Sequence, residues 1–410
     1  MFAAVPSIRL PLLLYLVLAW CVAPSALAAT DDADVIAELR AQIAALSERL
    51  ETLEGAQATS TIPTETYGAP APSEPAPVVI PGWVNNTKIK GDFRYRHEAF
   101  DIEGREDRHR QRIRARTELV TKINERTTVG FGLATGGDDP VSTNQTLGGG
   151  ASSKGVVLDL AYATYDTHID GLSVTGGKFK NPFHRAGGNG LLWDGDLRPE
   201  GAGVTYKRDS LFATAMGLFI DEDSNGQDAI FYGGQFGIDT TLGDGNLITG
   251  VGYYEITDAA DREVFFDDDP RGNRVNPDGT YVSDFEMLEG FAEYTFGLGE
   301  NKVTVFGDYV KNLGADDYDT GWALGAKLKR NAWSFGYAYQ DLEADAVLGL
   351  FTDSDFIGGG TDGKGHILQT GYALSKKIAL KGTLFLNDRN VDFGTEEEFK
   401  RLMLDISFKY

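Results

Sequence analysis

The sequence predicts an all-β fold, a transmembrane antiparallel β-barrel of about 16 strands preceded by a short α-helical coiled coil. Sixteen segments of period-two alternation lie between residues 83 and 410, and no helical stretch of comparable length interrupts them. Their connections alternate between short turns and mostly long, acidic loops, as expected when all turns lie on one side of a membrane. Mean hydropathy is −0.24 with one long apolar run, which excludes a bundle of membrane-spanning helices.

The composition of the chain limits the classes of molecule that it can bind. The 410 residues include 61 acidic and 38 basic side chains, a formal net charge of −23. Because nucleic-acid binding requires a basic face, this charge argues against a nucleic-acid partner. A hydrophobic content of 42% is too high for a wholly disordered chain. The 11% of aromatic residues favour strands, and the 50 glycines suit curved sheets.

The N-terminal segment has the pattern of a secretory signal peptide, which we assign to residues 1–28. Arg9 precedes the apolar run at residues 10–20, and small residues lead to a cleavage position after Ala28. The run is too short to span a bilayer. Since the single cysteine, Cys21, lies within this peptide, we expect the exported chain to have no disulfide framework.

A coiled-coil helix is predicted at residues 29–55 and a Pro-rich linker at residues 56–82. Apolar residues recur at spacings of 3 and 4, which is the heptad pattern of a helix–helix seam. The alternative is a single amphipathic helix packed on its own domain. Isoleucine alternating with leucine favours two strands in isolated coils. We expect the helix to lie in the periplasm, to reach toward the cell wall and to join chains through Ile36, Leu39, Ile43, Leu46, Leu50 and Leu53.

Residues 83–410 are predicted to form the barrel. Trp333 and Phe335 share one strand face while small or polar residues share the other, as expected of strands between lipid and a wet lumen. The C-terminal segment resembles the signal by which outer-membrane barrels are recognised for assembly, with Phe408 and Tyr410 as its residues; the alternative is an ordinary edge strand. The predicted strands are 87–98, 108–122, 127–136, 155–168, 171–181, 200–208, 211–220, 229–240, 246–256, 285–297, 302–311, 320–330, 332–343, 365–374, 377–388 and 399–410.

Two motifs carry a family resemblance. Residues 177–183 and 193–201 are similar to segments of the putative porin family, and the overall organisation of the chain resembles that of bacterial outer-membrane porins. The resemblance implies a barrel in outer-membrane lipid, inserted by the barrel-assembly machinery and assembled as a homotrimer. It also implies that the third external loop, residues 182–199, folds into the lumen and forms the constriction.

Charged residues in two regions are candidates for the pore constriction and its selectivity. An arginine that faces lipid costs ~2–4 kcal/mol near the midplane, so we expect the alternating arginines of the first two strands to face the lumen. A basic wall opposite an acidic loop would produce a transverse field and a weak preference for anions. Two alternatives stay open: arginines that only neutralise lumenal carboxylates, and a third loop that is solvated. The candidates are Arg94, Arg96, Arg108, Arg110, Arg112, Arg114 and Arg116 on the wall, and Arg185, Asp194, Asp196, Arg198 and Glu200 in or beside the loop.

Other motifs are set aside. Residues 221–226 match the first half of a calcium loop, with Asp221, Asp223 and Asn225 as candidate ligands, but the twelfth position is Tyr232 and not glutamate. We therefore interpret this segment as an acidic loop; the alternative is a weak external calcium contact. Motifs of serine hydrolases and zinc proteases do not occur in the sequence, so we expect neither an enzyme nor a cofactor.

The sequence thus predicts a porin that passes small hydrophilic solutes and ions by passive diffusion. One alternative is a substrate-specific channel for phosphate or another oxyanion, built on the arginines. Another is a barrel that acts mainly as an adhesin, a cell-wall tether or a membrane enzyme.

Overall fold

The computed structural model describes residues 85–222 and 228–410, whose strands form one antiparallel sheet. This part of the chain contains 16 long strands and one strand of two residues. The strands are β1 (Thr87–Ile102), β2 (Arg108–Lys122), β3 (Thr127–Thr135), β4 (Gln145–Thr146), β5 (Val156–Asp166), β6 (Leu172–Lys178), β7 (Glu200–Arg208), β8 (Leu211–Asp221), β9 (Ala229–Leu242), β10 (Gly245–Ile256), β11 (Phe285–Leu298), β12 (Asn301–Asn312), β13 (Thr320–Arg330), β14 (Trp333–Leu342), β15 (Gly363–Ala373), β16 (Ile378–Arg389) and β17 (Glu397–Lys409).

The sheet closes on itself. Successive long strands pair antiparallel, and β17 returns to pair with β1, from Asp92 opposite Lys409 to Ile102 opposite Phe399. The two-residue β4 bridges to β2, while β3 pairs directly with β5. The 16 long strands therefore form a closed antiparallel barrel, which confirms the predicted fold class.

The connections alternate in length as predicted. Each short turn lies at one end of the barrel, and the longer loops lie at the other. The loop between β1 and β2 is short because β1 continues to Ile102 and does not end at residue 98. The loops at the long-loop end are numbered in chain order, and two of them concern the site: L3 (residues 179–199) and L7 (residues 343–362).

The two faces of the strands differ as the alternation predicts. Large apolar side chains such as Phe93, Trp333 and Phe335 point outward and are exposed. The other face lines the lumen and carries charged and polar groups, among them Arg96 and Gln340, which are buried. Since closed ladders satisfy the backbone internally, this arrangement suits a barrel whose outer face meets lipid.

The largest apolar cluster lies inside the barrel. Phe183, Leu191 and Trp193 of L3 pack in one cluster with Leu348 and Phe351 of L7. Burial of each large apolar side chain contributes about 1.5–3 kcal/mol, so the cluster holds both loops within the lumen. The strand residues of this cluster are Met216, Leu218, Phe231, Tyr254, Ile256, Phe285, Met287, Val310, Ala323 and Leu342.

Several predictions from the sequence lie outside the described residues. These are the signal peptide (1–28), the coiled-coil helix (29–55), the linker (56–82) and the candidate ligands Asp223 and Asn225. Asp221, the remaining candidate ligand, is the final residue of β8. Within residues 85–222 and 228–410, no helix is long and apolar enough to cross a membrane. The same ranges contain no group of three or more His, Cys, Asp or Glu side chains that could hold a metal ion.

Candidate functional site

L3 extends from β6 through the interior to the wall formed by β11, β12 and β13. Its apex is a short 3-10 turn around Gly187, whose N–H donates to Oε2 of Glu293 at 2.6 Å. Beside it, Nδ2 of Asn189 donates to Oδ2 of Asp308 at 2.7 Å. Gly187 has a φ of 57°, and a Cβ at this position would come within 2.3 Å of the Phe306 ring. The apex therefore requires glycine.

L7 also enters the barrel and lies against L3. The Asp194 N–H donates to the Phe351 carbonyl at 2.7 Å, and the Asp353 N–H donates to the Gly190 carbonyl at 3.1 Å. The Ser354 N–H donates to Oδ2 of Asp194 at 2.9 Å. Two loops that are distant in sequence thus hold each other inside the lumen.

The arginines predicted on β1 and β2 face the lumen, and L3 is fastened to them. The Asp196 carboxylate lies 3.1 Å from Arg114 and 2.7 Å from Arg116. The same two arginines bind Asp92 of β1 at 2.9 and 2.8 Å. Each guanidinium is therefore shared by two carboxylates, and at this point the acidic loop touches the basic wall directly.

A second cluster of charges surrounds Glu98, which is 0% exposed. Arg401 of β17 binds Glu98 at 2.6 Å. Arg96 binds Asp405 of β17 at 2.6 Å and Asp355 of L7 at 3.0 Å. These pairs connect β1, β17 and L7. Removal of one partner of such a buried pair costs about 3–5 kcal/mol, because the remaining charge is left uncompensated.

Loop carboxyls that touch the arginines are held in the ionised form. Burial alone would raise the pKa of Asp196, but Arg114 and Arg116 hold that pKa below its usual value. Burial likewise opposes ionisation of Asp355, and Arg401 outweighs it and lowers the pKa of Asp355. The contacts of L3 and L7 with the basic wall are therefore contacts of carboxylates.

The carboxyls between L3 and L7 have raised pKa values, and therefore favour the protonated form. Burial, followed by repulsion from Asp353 and Asp196, raises the pKa of Asp194 to about 8. Burial also raises the pKa of Asp353. The contact between L3 and L7 is thus most stable when a carboxyl there is protonated.

The remaining predicted arginines of the wall lie around the Glu98 cluster. Arg110 binds Glu98 directly, and Arg112 lies 3.9 Å from the same carboxylate. The guanidinium groups of Arg108 and Arg110 lie 5.8 and 5.0 Å from the centre of the Phe100 ring. The wall is therefore one continuous set of charges from β2 to β17.

Three further predicted residues have polar partners other than those already described, and one of them, Arg198, also lies 3.8 Å from Asp196. Glu200, in contrast, is not brought into the lumen. Glu200 shares the outward strand face of Val204, its side chain is 66% exposed, and it binds Lys178 at 2.5 Å. The three residues held elsewhere are Arg94 by Oδ1 of Asn144 at 2.5 Å, Arg185 by the Trp193 carbonyl at 3.1 Å and Arg198 by Asp159 at 3.4 Å.

Apart from Asp196, reasoning from the sequence missed the acidic partners of the arginines. Asp92 and Glu98 have the parity of the inward arginines on β1, so the same alternation could have identified them. Asp353 and Asp355 lie in a loop and have no such periodic signal. The usable signal there is the apolar run at residues 346–351, because a solvated loop has no reason to carry it.

The comparisons with known proteins agree with this architecture. The family model described as Putative porin matches residues 101–264 and 319–410. Among solved structures, the chain is similar to Pseudomonas putida OprB at high pH, with a TM-score of 0.56 and 12% identity, covering 80% of this chain and 95% of that chain. Two mutants of Rhodopseudomonas blastica porin match with TM-scores of 0.48 and 0.47, at 13% and 11% identity, covering 79% of this chain and 100% of theirs. Among curated proteins, none matches the chain.

The family match covers more than half of the chain and includes residues 177–183 and 193–201, which carry the resemblance in the sequence. At 12% identity, the likeness to OprB concerns the fold alone. A closed barrel with an apolar outer face and a charged interior is the architecture of an outer-membrane channel. The chain belongs to the putative porin family.

Proposed function

We propose that the chain forms a water-filled channel in the bacterial outer membrane, through which small hydrophilic solutes and ions diffuse passively. The observation that carries this proposal is the closed ring of 16 long strands with apolar side chains outside and charged side chains inside. Barrels of this size leave an aqueous channel once their side chains are in place. Such a channel requires no covalent chemistry.

The constriction lies where L3 and L7 narrow the lumen beside the basic wall. Asp196 fastens L3 to Arg114 and Arg116, and Asp355 fastens L7 to Arg96. Because these arginines are matched by carboxylates, the contacts favour the alternative in which the wall neutralises lumenal acids. Selectivity then depends on charges elsewhere in the lumen.

In this proposal the long loops are external and the N-terminal helix is periplasmic. The heptad seam of residues 29–55 joins the chains of a homotrimer and reaches toward the cell wall. The barrel-assembly machinery reads Phe408 and Tyr410. Both lie on the outward side of the barrel, where Phe408 packs with Phe93 at a ring-centroid distance of 6.1 Å and Tyr410 is exposed.

Single-channel recording in a planar lipid bilayer tests the channel. Folded protein should give discrete conductance steps, and the reversal potential under a potassium chloride gradient gives the sign of selectivity. Asp196→Asn should shift that potential toward anion permeation, because Arg114 and Arg116 then keep only Asp92 as a charged partner.

The matched control is Glu200→Gln, which removes the same charge from an exposed, outward position. It should leave the conductance and the reversal potential unchanged. Absence of conductance steps from folded protein would refute the channel. Equal behaviour of the two variants would refute only the constriction.

A further inference from the structure

A cavity of 340 Å³ lies in the short-turn half of the lumen, beneath the apex of L3. It is lined by the lysines Lys302, Lys327, Lys329 and Lys381, which we call the lysine cavity. In the strand register, Lys302 is directly opposite Lys329, so both project from the same face of β12 and β13. The residues of the lining that carry hydroxyl or amide groups are Thr304, Ser334, Gln369 and Thr370.

The face that carries these lysines is the lumenal one. The register places Lys327 on the same face of β13 as Ala323, which is 1% exposed beneath the loops. Gly336 lies opposite Lys327 on β14 and leaves the floor of the cavity open, since a Cβ there would only touch Lys327 and Gln369 at 3.7 and 3.5 Å. A solute in the lumen can therefore reach the lysines.

The lysines differ from the arginines in having no carboxylate at ion-pair distance among the described residues. Lys327 donates to the Gly187 carbonyl of L3, which is a neutral partner. Lys381 is opposite Asp405 in the register, but both oxygens of that carboxylate are engaged by Arg96 at 2.6 and 3.0 Å. Within the described ranges, direct ion pairs therefore do not neutralise the positive charge of the cavity, and the carboxylates of Glu293 and Asp405 act on Lys327 and Lys381 only from beyond ion-pair distance.

Such an arrangement costs free energy in the empty protein. Like charges directly opposite each other on neighbouring strands are destabilising, as Lys302 and Lys329 are here. Lysine ammonium groups are compact point charges with rotatable donors, and they bind phosphate-type oxygens without requiring a fixed planar geometry. A multivalent anion would be attracted by several ammonium groups at once, whereas chloride presents a single charge.

We infer that the lysine cavity binds small multivalent oxyanions, such as phosphate-bearing or polycarboxylate solutes, on their way through the barrel. The inference rests on the proposed channel and assigns its preferred class of solute. The cavity volume lies within the usual range for small-molecule sites, about 300–1,000 Å³. Hydroxyl and amide donors of Ser334 and Gln369 supply additional hydrogen bonds to the oxygens.

Block of the potassium chloride current by added sodium pyrophosphate tests the inference at constant ionic strength. The block should saturate, and Lys302→Gln with Lys329→Gln should raise the half-blocking concentration roughly tenfold, equivalent to about 1.4 kcal/mol. A second arm uses citrate: block by pyrophosphate alone indicates phosphate-bearing solutes, and equal block indicates multivalent anions in general. Both outcomes support the inference.

The matched control is Lys207→Gln with Lys376→Gln, which removes two positive charges at the short-turn end without touching the cavity lining. It should leave the half-blocking concentration within about twofold of wild type, a difference of under ~0.5 kcal/mol. Circular dichroism first establishes that each variant is folded. An unsaturable block, or the same change in both double variants, would overturn the cavity while leaving the channel intact.

Failure of the channel itself is distinguishable. If folded protein gives no conductance steps, the proposed function fails, and equilibrium dialysis of radiolabelled pyrophosphate against the detergent-solubilised barrel still tests the cavity. Binding that weakens in the Lys302→Gln, Lys329→Gln variant supports the site. No binding to wild type overturns it.

Discussion

Arginines on β1 and β2 and lysines on β12, β13 and β16 line the same lumen, but their surroundings differ. Arg114 and Arg116 are each shared by two carboxylates, and Arg96 is 3% exposed among acids. Lys302 and Lys329 face each other on open walls, with no carboxylate at ion-pair distance in the described part of the chain. The arginines thus stabilise the fold through ion pairs, whereas the lysines can still bind solutes.

The difference shows that the number of charges in a lumen does not indicate how many a solute meets. A buried guanidinium that is paired with carboxylates is bound to these groups and not to water, so a solute in the lumen experiences little net charge from it. A solvated ammonium group without such a partner attracts an anion that passes through the lumen. We call the basic wall formed by the arginines of β1 and β2 the arginine wall. We therefore expect the arginine wall to determine the stability of the barrel and the lysine cavity to determine which solutes it prefers.

The largest effect is expected from Glu98→Gln on the arginine wall. It removes, in a fully buried position, the carboxylate that Arg110 binds and one of the two carboxylates that Arg401 binds, and should lower the free energy of unfolding by about 3–5 kcal/mol. Urea unfolding of the detergent-solubilised barrel, followed by circular dichroism, measures this change. The control is Glu300→Gln, whose exposed pair with Arg330 should contribute under ~1 kcal/mol. Equal losses in the two variants would contradict the assignment of stability to the wall.

A pH effect of intermediate size is expected between L3 and L7. Because the pKa of Asp194 is raised from 3.8 to about 8, its contribution to stability is complete below pH 3.8 and is lost as the pH rises through about 8. L7 should therefore become more susceptible to limited proteolysis between pH 6 and pH 9. Asp194→Asn, which stays neutral, should remove most of this dependence. A wild-type protein equally resistant at both pH values would count against the prediction.

Asp196 should respond with the opposite sign. Its lowered pKa means that its contribution to stability is present above its ordinary pKa and is lost as the pH falls through the lowered value. The contact of L3 with the arginine wall is therefore expected to weaken only in acid, whereas the contact of L3 with L7 weakens in alkali. The same proteolysis experiment, extended to low pH with cleavage sites mapped, separates the two contacts.

The smallest change in stability is expected from Lys329→Gln in the lysine cavity. Relief of the repulsion from Lys302 should alter the free energy of unfolding by no more than about 0.5 kcal/mol, in the stabilising direction. The urea experiment used for Glu98→Gln measures it, without multivalent anions in the buffer. A loss as large as that of Glu98→Gln would mean that the lysines also hold the barrel together.

Strand positions and faces could be predicted from the sequence because they depend on local alternation. The β2 strand spans the predicted residues 108–122, and its arginines face the lumen as their parity indicates. The outward position of Glu200 also follows from parity, since it shares the strand face of Val204. Grouping Glu200 with the residues of the third loop overlooks its position on a strand face.

The contacts inside the lumen could not be predicted in the same way. Asp355 reaches Arg96 across 259 positions of sequence, and Asp196 reaches Arg114 across 82. Loop paths are set by packing against distant walls, which has no period in the sequence. The lysines of the cavity are likewise carried by separate strands, and the side-by-side pairing of β12 to β16 in the sheet brings them to one place.

The position of the Glu98 cluster has a consequence for the order of assembly. Glu98 and Arg96 are on β1, whereas Arg401 and Asp405 are on β17, and Arg96 and Asp405 are 309 positions apart. These ion pairs form only when the two edges of the sheet meet, so an unclosed sheet carries several charges without these partners, which is costly in lipid. Insertion of the sheet into lipid before closure therefore costs free energy, and pairing of β1 with β17 removes that cost. Contacts between such distant residues also make closure a slow and late event in folding.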